Sequence, residues 1–171
     1  MDRMASIELA LKNEQTEMEF YLHEAERSNN PLAQAMFKNL ARDEEEHMRR
    51  IRKLHDKLLA DGDWPEEMPI EVAGTDVSKT LEELVGKTGS SENHDNHDEE
   101  ALRKAIGFET NGEQFYGKLA AACDNPQEKK FFQFLSEIER EHRLSLVDTL
   151  NYLENPEAWY EEHEKINLDG A

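Results

Sequence analysis

The chain has 171 residues, of which 37% are hydrophobic and 35% charged, and its formal net charge is −19. That length is the size of a single domain over 1–171 with one substantial core, and the balance suits long amphipathic helices with solvated outer faces. The acidic excess argues against nucleic acid or an anionic membrane as partner, because both are bound by basic surfaces.

A first helix is predicted over 6–28, where Ile7, Ala10, Leu11, Met18, Tyr21, Leu22 and Ala25 recur at the three-to-four spacing of a buried stripe. Ser28-Asn29-Asn30-Pro31 breaks it, with Asn30 as N-cap and Pro31 in the first turn of the next helix. That second helix runs to about residue 60 and buries Leu32, Ala35, Met36, Leu40, Ile51, Leu54 and Leu58. Residues 61–98 form the one irregular stretch, with a short helix over 76–85 where Ser78 precedes Leu81, Leu84 and Val85. A third long helix spans 99–122, Asp124-Asn125-Pro126 repeats the turn, and a fourth runs to about 153. Asn155-Pro156 opens a short C-terminal helix over 156–166, whose Trp159 caps the bundle.

Cys123 is the only cysteine, which leaves no intrachain disulfide and no Cys-x-x-Cys metal motif. A reducing cytoplasm is the expected setting. The N-terminus leads into an amphipathic helix without a signal-type apolar segment, and no stretch approaches the roughly 18 apolar residues of a membrane span.

The chain repeats itself. Sliding 7–58 onto 102–153 without a gap gives thirteen identities in fifty-two positions. They include Ala10/Ala105, Phe20/Phe115, Ala25/Ala120, Asn30-Pro31/Asn125-Pro126, Phe37/Phe132 and Leu40/Leu135. In the same register Glu14, Tyr21, Glu44 and His47 reappear as Glu109, Tyr116, Glu139 and His142. Similar helical composition inflates such matches but does not align Glu, Tyr, Glu, His and an Asn-Pro turn together. The reading is a duplicated helix hairpin.

Residues equidistant from the turn of an antiparallel hairpin lie at one height. Glu14 and Glu44 are centred on the first turn, and Glu109 and Glu139 on the second, each pair about 22 Å from its turn at 1.5 Å per residue. Thirty-eight residues easily span a helix of about 42 Å, so 61–98 is expected to cross over along the bundle, with the second and third long helices parallel. All four glutamates then meet in one layer of a four-helix bundle.

Buried carboxylates are costly unless compensated, and four together repel. Two divalent cations neutralise four carboxylates. Glu-x-x-His, at Glu44/His47 and Glu139/His142, turns both side chains toward one partner. A lone such motif reads as an exposed helix turn; two, each level with a partner glutamate, read as a dinuclear metal site. The carboxylate and imidazole set suits iron, manganese or zinc. Glu44→Ala or Glu139→Ala is expected to lower metal occupancy and to stabilise the metal-free bundle.

Tyr21 and Tyr116 lie seven residues beyond a predicted ligand, two turns along the same face. Each hydroxyl, once buried, needs a partner. A ligand carboxylate is the expected one, with a redox role or simple core packing as alternatives. His23, His55 and His163 are read as surface residues, and His94 and His97 as part of a solvated loop.

With Glu14…Tyr21, Glu44-x-x-His47, Glu109…Tyr116 and Glu139-x-x-His142 in place, residues 5–155 resemble the rubrerythrin branch of the ferritin-like di-iron proteins. The resemblance implies Glu14 and Glu109 as terminal ligands, Glu44 and Glu139 as bridging ligands and His47 and His142 as terminal nitrogen ligands. It also implies two iron ions, reduction of hydrogen peroxide or reaction with dioxygen, and a homodimer. Two departures stand out. One cysteine cannot form the four-cysteine iron site of a rubredoxin module, so a separate electron-donor protein is expected. Gly112 also stands where the family carries a further glutamate. Glu17, its counterpart on the first helix, and Glu113 are the candidate extra carboxylates. Ferroxidase-type iron handling or storage, and a non-catalytic metal-binding bundle, are the competing functions. A dimer in solution favours the enzyme, and a cage favours storage.

Overall fold

The computed structural model describes residues 3–64, 77–85 and 95–169. Among them are six helices and no strand: α1 (Arg3–Arg27), α2 (Pro31–Asp61), α3 (Val77–Leu84), α4 (Asn96–Ala122), α5 (Pro126–Glu154) and α6 (Pro156–Asp169). The fold is an all-α, ferritin-like bundle in which α1 pairs with α2 and α4 with α5.

Local chemistry fixes the hairpins. Asn30 has extended backbone and its side chain accepts from the Ala33 N–H, while Pro31 opens α2. Asn125 does the same for α5, accepting from the N–H groups of Gln127 and Glu128 ahead of Pro126. These bonds satisfy amide donors that a helix start leaves open. At the other end of α2, Gly62 adopts the left-handed conformation at φ 75° and its N–H bonds Leu58 O, a C-terminal cap that side chains with a Cβ resist.

The third long helix starts at Asn96 rather than near 99, because Asp95 and Asp98 form a reciprocal cap. The Asp95 side chain accepts from the Asp98 N–H, and the Asp98 carboxylate accepts from the Asp95 N–H. His97 is therefore an exposed residue of α4, not of a loop, and His94 lies outside the described residues. The C-terminal helix runs to Asp169, three residues past the expected end. Its Trp159 is buried, packs edge-on against Tyr152 and donates its indole N–H to Asp148.

Side-chain pairs give the topology. Tyr21 meets Glu109 and Tyr116 meets Glu14, so residue numbers rise along α1 as they fall along α4. Those two helices are antiparallel. Because α1 and α2 form an antiparallel hairpin, α2 and α4 are parallel, as expected from the length of the 61–98 connection. Within the connecting stretch, the described helix α3 packs on α2 and α5. Asn39 of α2 donates to the Thr80 hydroxyl at 2.7 Å, and Val77 and Leu81 join the core.

The core is two apolar clusters with a polar layer between. One, holding Leu32, Met36, Phe37, Leu102, Ala105, Leu146 and Leu150, lies at the end of the first turn. The other, holding Ile7, Ile51, Leu54, Phe131, Phe132 and Leu135, lies at the end of the second, where Trp64 covers Phe131 and Phe132. Apolar packing above and below keeps water from the middle layer.

Candidate metal centre

α1 supplies Glu14 to that layer, α4 supplies Glu109, α2 supplies Glu44 and His47, and α5 supplies Glu139 and His142. None of the six is more than 2% exposed. Their ligand atoms fall into two groups, each within 4.8 Å: Glu14, Glu44, His47 and Glu139 in one, and Glu44, Glu109, Glu139 and His142 in the other. Glu44 and Glu139 belong to both.

His47 Nδ1 lies 2.8 Å from Glu44 Oε2 and 3.0 Å from Glu14 Oε2. His142 Nδ1 lies 3.4 Å from both Glu44 Oε1 and Glu109 Oε2, without hydrogen-bond alignment. The imidazoles stack at 5.6 Å between centroids and 17° between planes. Each tyrosine crosses to the other half of the repeat, Tyr21 donating to Glu109 at 2.5 Å and Tyr116 donating to Glu14. Phe37 stacks on Tyr21 and Phe132 on Tyr116, so the aromatic walls obey the same pseudo-symmetry.

Two negative charges about 4 Å apart repel by ~4 kcal/mol at an effective dielectric of about 20. Four ionised carboxylates here would together outweigh the 5–15 kcal/mol or so that stabilise an ordinary domain. Without cations the layer must hold protons, and its electrostatics show where. Burial, then Glu44, pushes the Glu14 carboxyl up to about 8, against the pull of His47. Burial and the carboxylates of Glu109, Glu14 and Glu44 hold Glu139 well above the usual range. Burial would also raise Glu44, but His47 and His142 keep it well below. Burial alone would lower both histidines. Glu44 and Glu14 instead raise His47 to about 10, and Glu109, Asp43 and Glu44 raise His142 well above its ordinary value. Imidazolium and shared protons thus stand in for metal charge.

The substitution is incomplete. Glu44 Oε1, Glu109 Oε2, both Glu139 oxygens and His142 Nδ1 are buried without a hydrogen-bond partner. Buried polar atoms are seldom left unpaired, and all five belong to the two clustered groups. A carboxylate-rich, imidazole-containing donor set with unpaired lone pairs converging on one layer fits a pair of divalent cations.

The other sequence candidates separate. Glu17 is 6% exposed, one turn beyond Glu14. Glu113 is half-buried and accepts from Arg143 Nε at 2.8 Å, away from the clustered groups. His23 is exposed, His55 is half-buried near Glu8, and His163 stacks on Trp159 at 3.7 Å between centroids. Sequence reasoning missed Asp43, which lies 3.3 Å from His142 Nε2 and orients that ring with Nδ1 inward. Its signal was a broken repeat, since Asp43 aligns with Ile138. Gly112 also acquires a reason. A Cβ there would lie 2.9 Å from Glu139 Oε2 and 3.2 Å from its Cγ, so the missing side chain is what lets Glu139 lie against α4.

The rubrerythrin family model matches residues 6–84 and 100–168, most of the chain and all six clustered residues. No curated protein and no solved structure matches the chain.

Proposed function

The chain belongs to the rubrerythrin family, and from that premise we propose that it is a non-haem di-iron redox protein reducing hydrogen peroxide or dioxygen with electrons from a separate donor protein. The observation that carries the reading is the pair of buried ligand groups sharing Glu44 and Glu139, with unpaired atoms turned into them. Glu14 and His47 would hold one iron, Glu109 and His142 the other, with Glu44 and Glu139 common to both. When bound, the irons supply the two electrons that reductive cleavage of an O–O bond takes up.

The remaining roles belong to this chain's side chains. Tyr21 and Tyr116 fix the terminal carboxylates by donating to them. Burial and the neighbouring carboxylates push both phenols well above 10, so at neutral pH the hydroxyls keep their protons and serve as positioning donors. Asp43 holds the outer nitrogen of His142, and the two apolar clusters exclude water, which strengthens each charge interaction inside. The single cysteine cannot build a four-cysteine iron site, hence the external donor.

The test is anaerobic loading with iron(II), metal quantitation, and stopped-flow oxidation by peroxide and by dioxygen. The expected result is two irons per chain, faster oxidation by peroxide, and continued turnover only with an added donor. Equal or faster reaction with dioxygen moves the assignment to an oxidase or ferroxidase with the same six ligands. Fewer than two metals per chain overturns it. Solution mass adds a second check: a homodimer is expected, and a many-subunit cage favours iron storage.

A further inference from the structure

We propose that Trp64 ends a one-electron relay, Trp64–Phe132–Tyr116, leading outward from Glu14, and that its indole supplies the missing electron when peroxide meets a site with only one reduced iron. The inference rests on the dinuclear reading above and adds a protective function to it.

The first support is an unbroken row of rings. Tyr116 donates to Glu14 and stacks on Phe132, at 6.4 Å between centroids and 14° between planes. Phe132 meets Trp64 edge-on at 6.2 Å, and Phe131 bridges the same two rings, 5.7 Å from Trp64 and 5.4 Å from Phe132. Exposure rises outward, from 1% at Tyr116 and Phe132 to 7% at Trp64. Electrons tunnel more readily through packed rings than across gaps, and indole gives up an electron far more easily than a phenylalanine ring. Phe132 and the protonated Tyr116 therefore carry the coupling, and Trp64 carries the charge.

The second support is the state of that indole. Trp64 Nε1 is buried with no hydrogen-bond partner, although a buried tryptophan N–H usually finds one. An indole whose N–H has no acceptor keeps its proton when it loses an electron. Its oxidised form is a cation radical that one electron restores, with no proton to recover.

The third support is a contrast within the repeat. The two tryptophans are themselves a pair, since residue 64 plus the offset of 95 is 159. Trp159, however, donates its N–H to Asp148 and lies among Tyr152, Tyr160 and His163. Among the described residues, no ring contact joins it to Phe37, the stacking partner of Tyr21. That row runs instead through Phe20 to Phe108, and Lys104 Nζ lies 4.7 Å from the Phe20 centroid. A cation over a ring makes electron loss harder. One half of the duplicated fold has the relay and the other does not.

Electron balance fixes what the relay does. Reducing hydrogen peroxide to two waters takes two electrons and two protons, the protons coming from solvent. A fully reduced site holds both electrons. With one iron(II), the second electron leaves Trp64: iron(II) becomes iron(III), the indole becomes its cation radical, and no hydroxyl radical is released. One electron from the external donor then restores the indole.

The experiment loads metal-free protein anaerobically with equal parts of iron(II) and redox-inert zinc(II), then adds hydrogen peroxide without a donor. Freeze-quenched samples are read by electron paramagnetic resonance, with ring-deuterated tryptophan to identify the radical, and peptide mass spectrometry locates oxidised residues. The expected result is a tryptophan radical and oxidation at Trp64, absent from all-zinc protein and weaker in the di-iron form. Trp159→Phe should keep the radical. Trp64→Phe and Phe132→Leu should lose it and release hydroxyl radical to a spin trap instead. Peptide mapping of the wild type decides the question even if a variant does not fold. A radical on tyrosine, oxidation at Trp159 rather than Trp64, no protein radical, or an equal signal in the di-iron form overturns the relay and leaves the dinuclear reading standing. Failure of the wild type to bind two metal ions overturns both.

Discussion

Glu44 and Glu139 occupy matching places in the two halves of the chain, yet the structure holds them by opposite means. Glu44 sits 2.8 Å from His47 Nδ1, and its carboxyl is depressed by the two histidines against the effect of burial. Glu139 has neither oxygen paired, and burial raises it well above its usual range. The sequence led us to expect that removing either would stabilise the metal-free bundle. The structure splits that expectation. Glu139→Gln should raise the melting temperature of metal-free protein, most clearly at alkaline pH, because it removes a charge nothing compensates. Glu44→Gln should lower it, because two buried imidazolium groups lose their counter-ion, a change of roughly 3–5 kcal/mol. Both should lose metal, so paired melts with and without cobalt(II) separate the effects; a fall in both metal-free variants would show that Glu139 has a structural partner. Gly112→Ala tests the close approach directly. Alanine gains about 1 kcal/mol of helix propensity over glycine, while a Cβ at 2.9 Å forces the Glu139 carboxylate aside. Stability should therefore change little while metal affinity falls by about 10-fold. The six clustered residues were legible because the repeat printed them twice. Asp43 and the burial of Glu17 were not, because each exists once and its meaning depends on what the neighbouring helix presents.

At the scale of helices, apolar spacing located the four long elements, and the turns between them were readable as Asn-Pro caps. The two caps are chemically alike but differently placed. Asn30 is fully buried and accepts from Ala33, whereas Asn125 is half-buried and accepts from two amides near solvent. Losing an N-cap costs about 0.5–2 kcal/mol. Asn30→Ala should fall at the upper end, since water cannot replace the bond, and Asn125→Ala at the lower end. Chemical denaturation of the two variants checks the ranking, and equal costs would show that burial at the first turn adds nothing. The start of α4 was misjudged for a related reason. The Asp95/Asp98 cap contributes no apolar periodicity, so the polar run before Glu99 read as loop although its aspartates close a helical turn. The tyrosines give the complementary lesson. Their spacing from Glu14 and Glu109 along one helix marked them as neighbours of the glutamate layer. Only the antiparallel register of α1 and α4 shows that each serves the carboxylate of the opposite half.

For the molecule as a whole, the bundle concentrates its least stable chemistry in one layer between two apolar clusters, and this couples folding to protons and metal. In the metal-free protein Glu14 rises from 4.5 to about 8, Glu17 from 4.5 to about 10, and His47 from 6.5 to about 10. Each group binds its proton more tightly folded than unfolded, so what it contributes is fully present below the unfolded value and is lost as pH rises through the folded one. Glu44 works the other way, its contribution present above 4.5 and lost as the solution is acidified through its depressed folded value. The metal-free protein should therefore be most stable near pH 4.5 and should lose stability steadily toward pH 10. Divalent metal reverses the alkaline limb, because it takes the place of the bound protons. An ion present at 100 times its dissociation constant adds about 2.7 kcal/mol per site, and its affinity grows as the ligands deprotonate. Melting curves from pH 5 to 10, with chelator and with excess cobalt(II), should diverge progressively across that range. A metal-free melting temperature that stays flat or rises over that range would show that the layer does not store protons, and that its carboxylates are neutralised some other way.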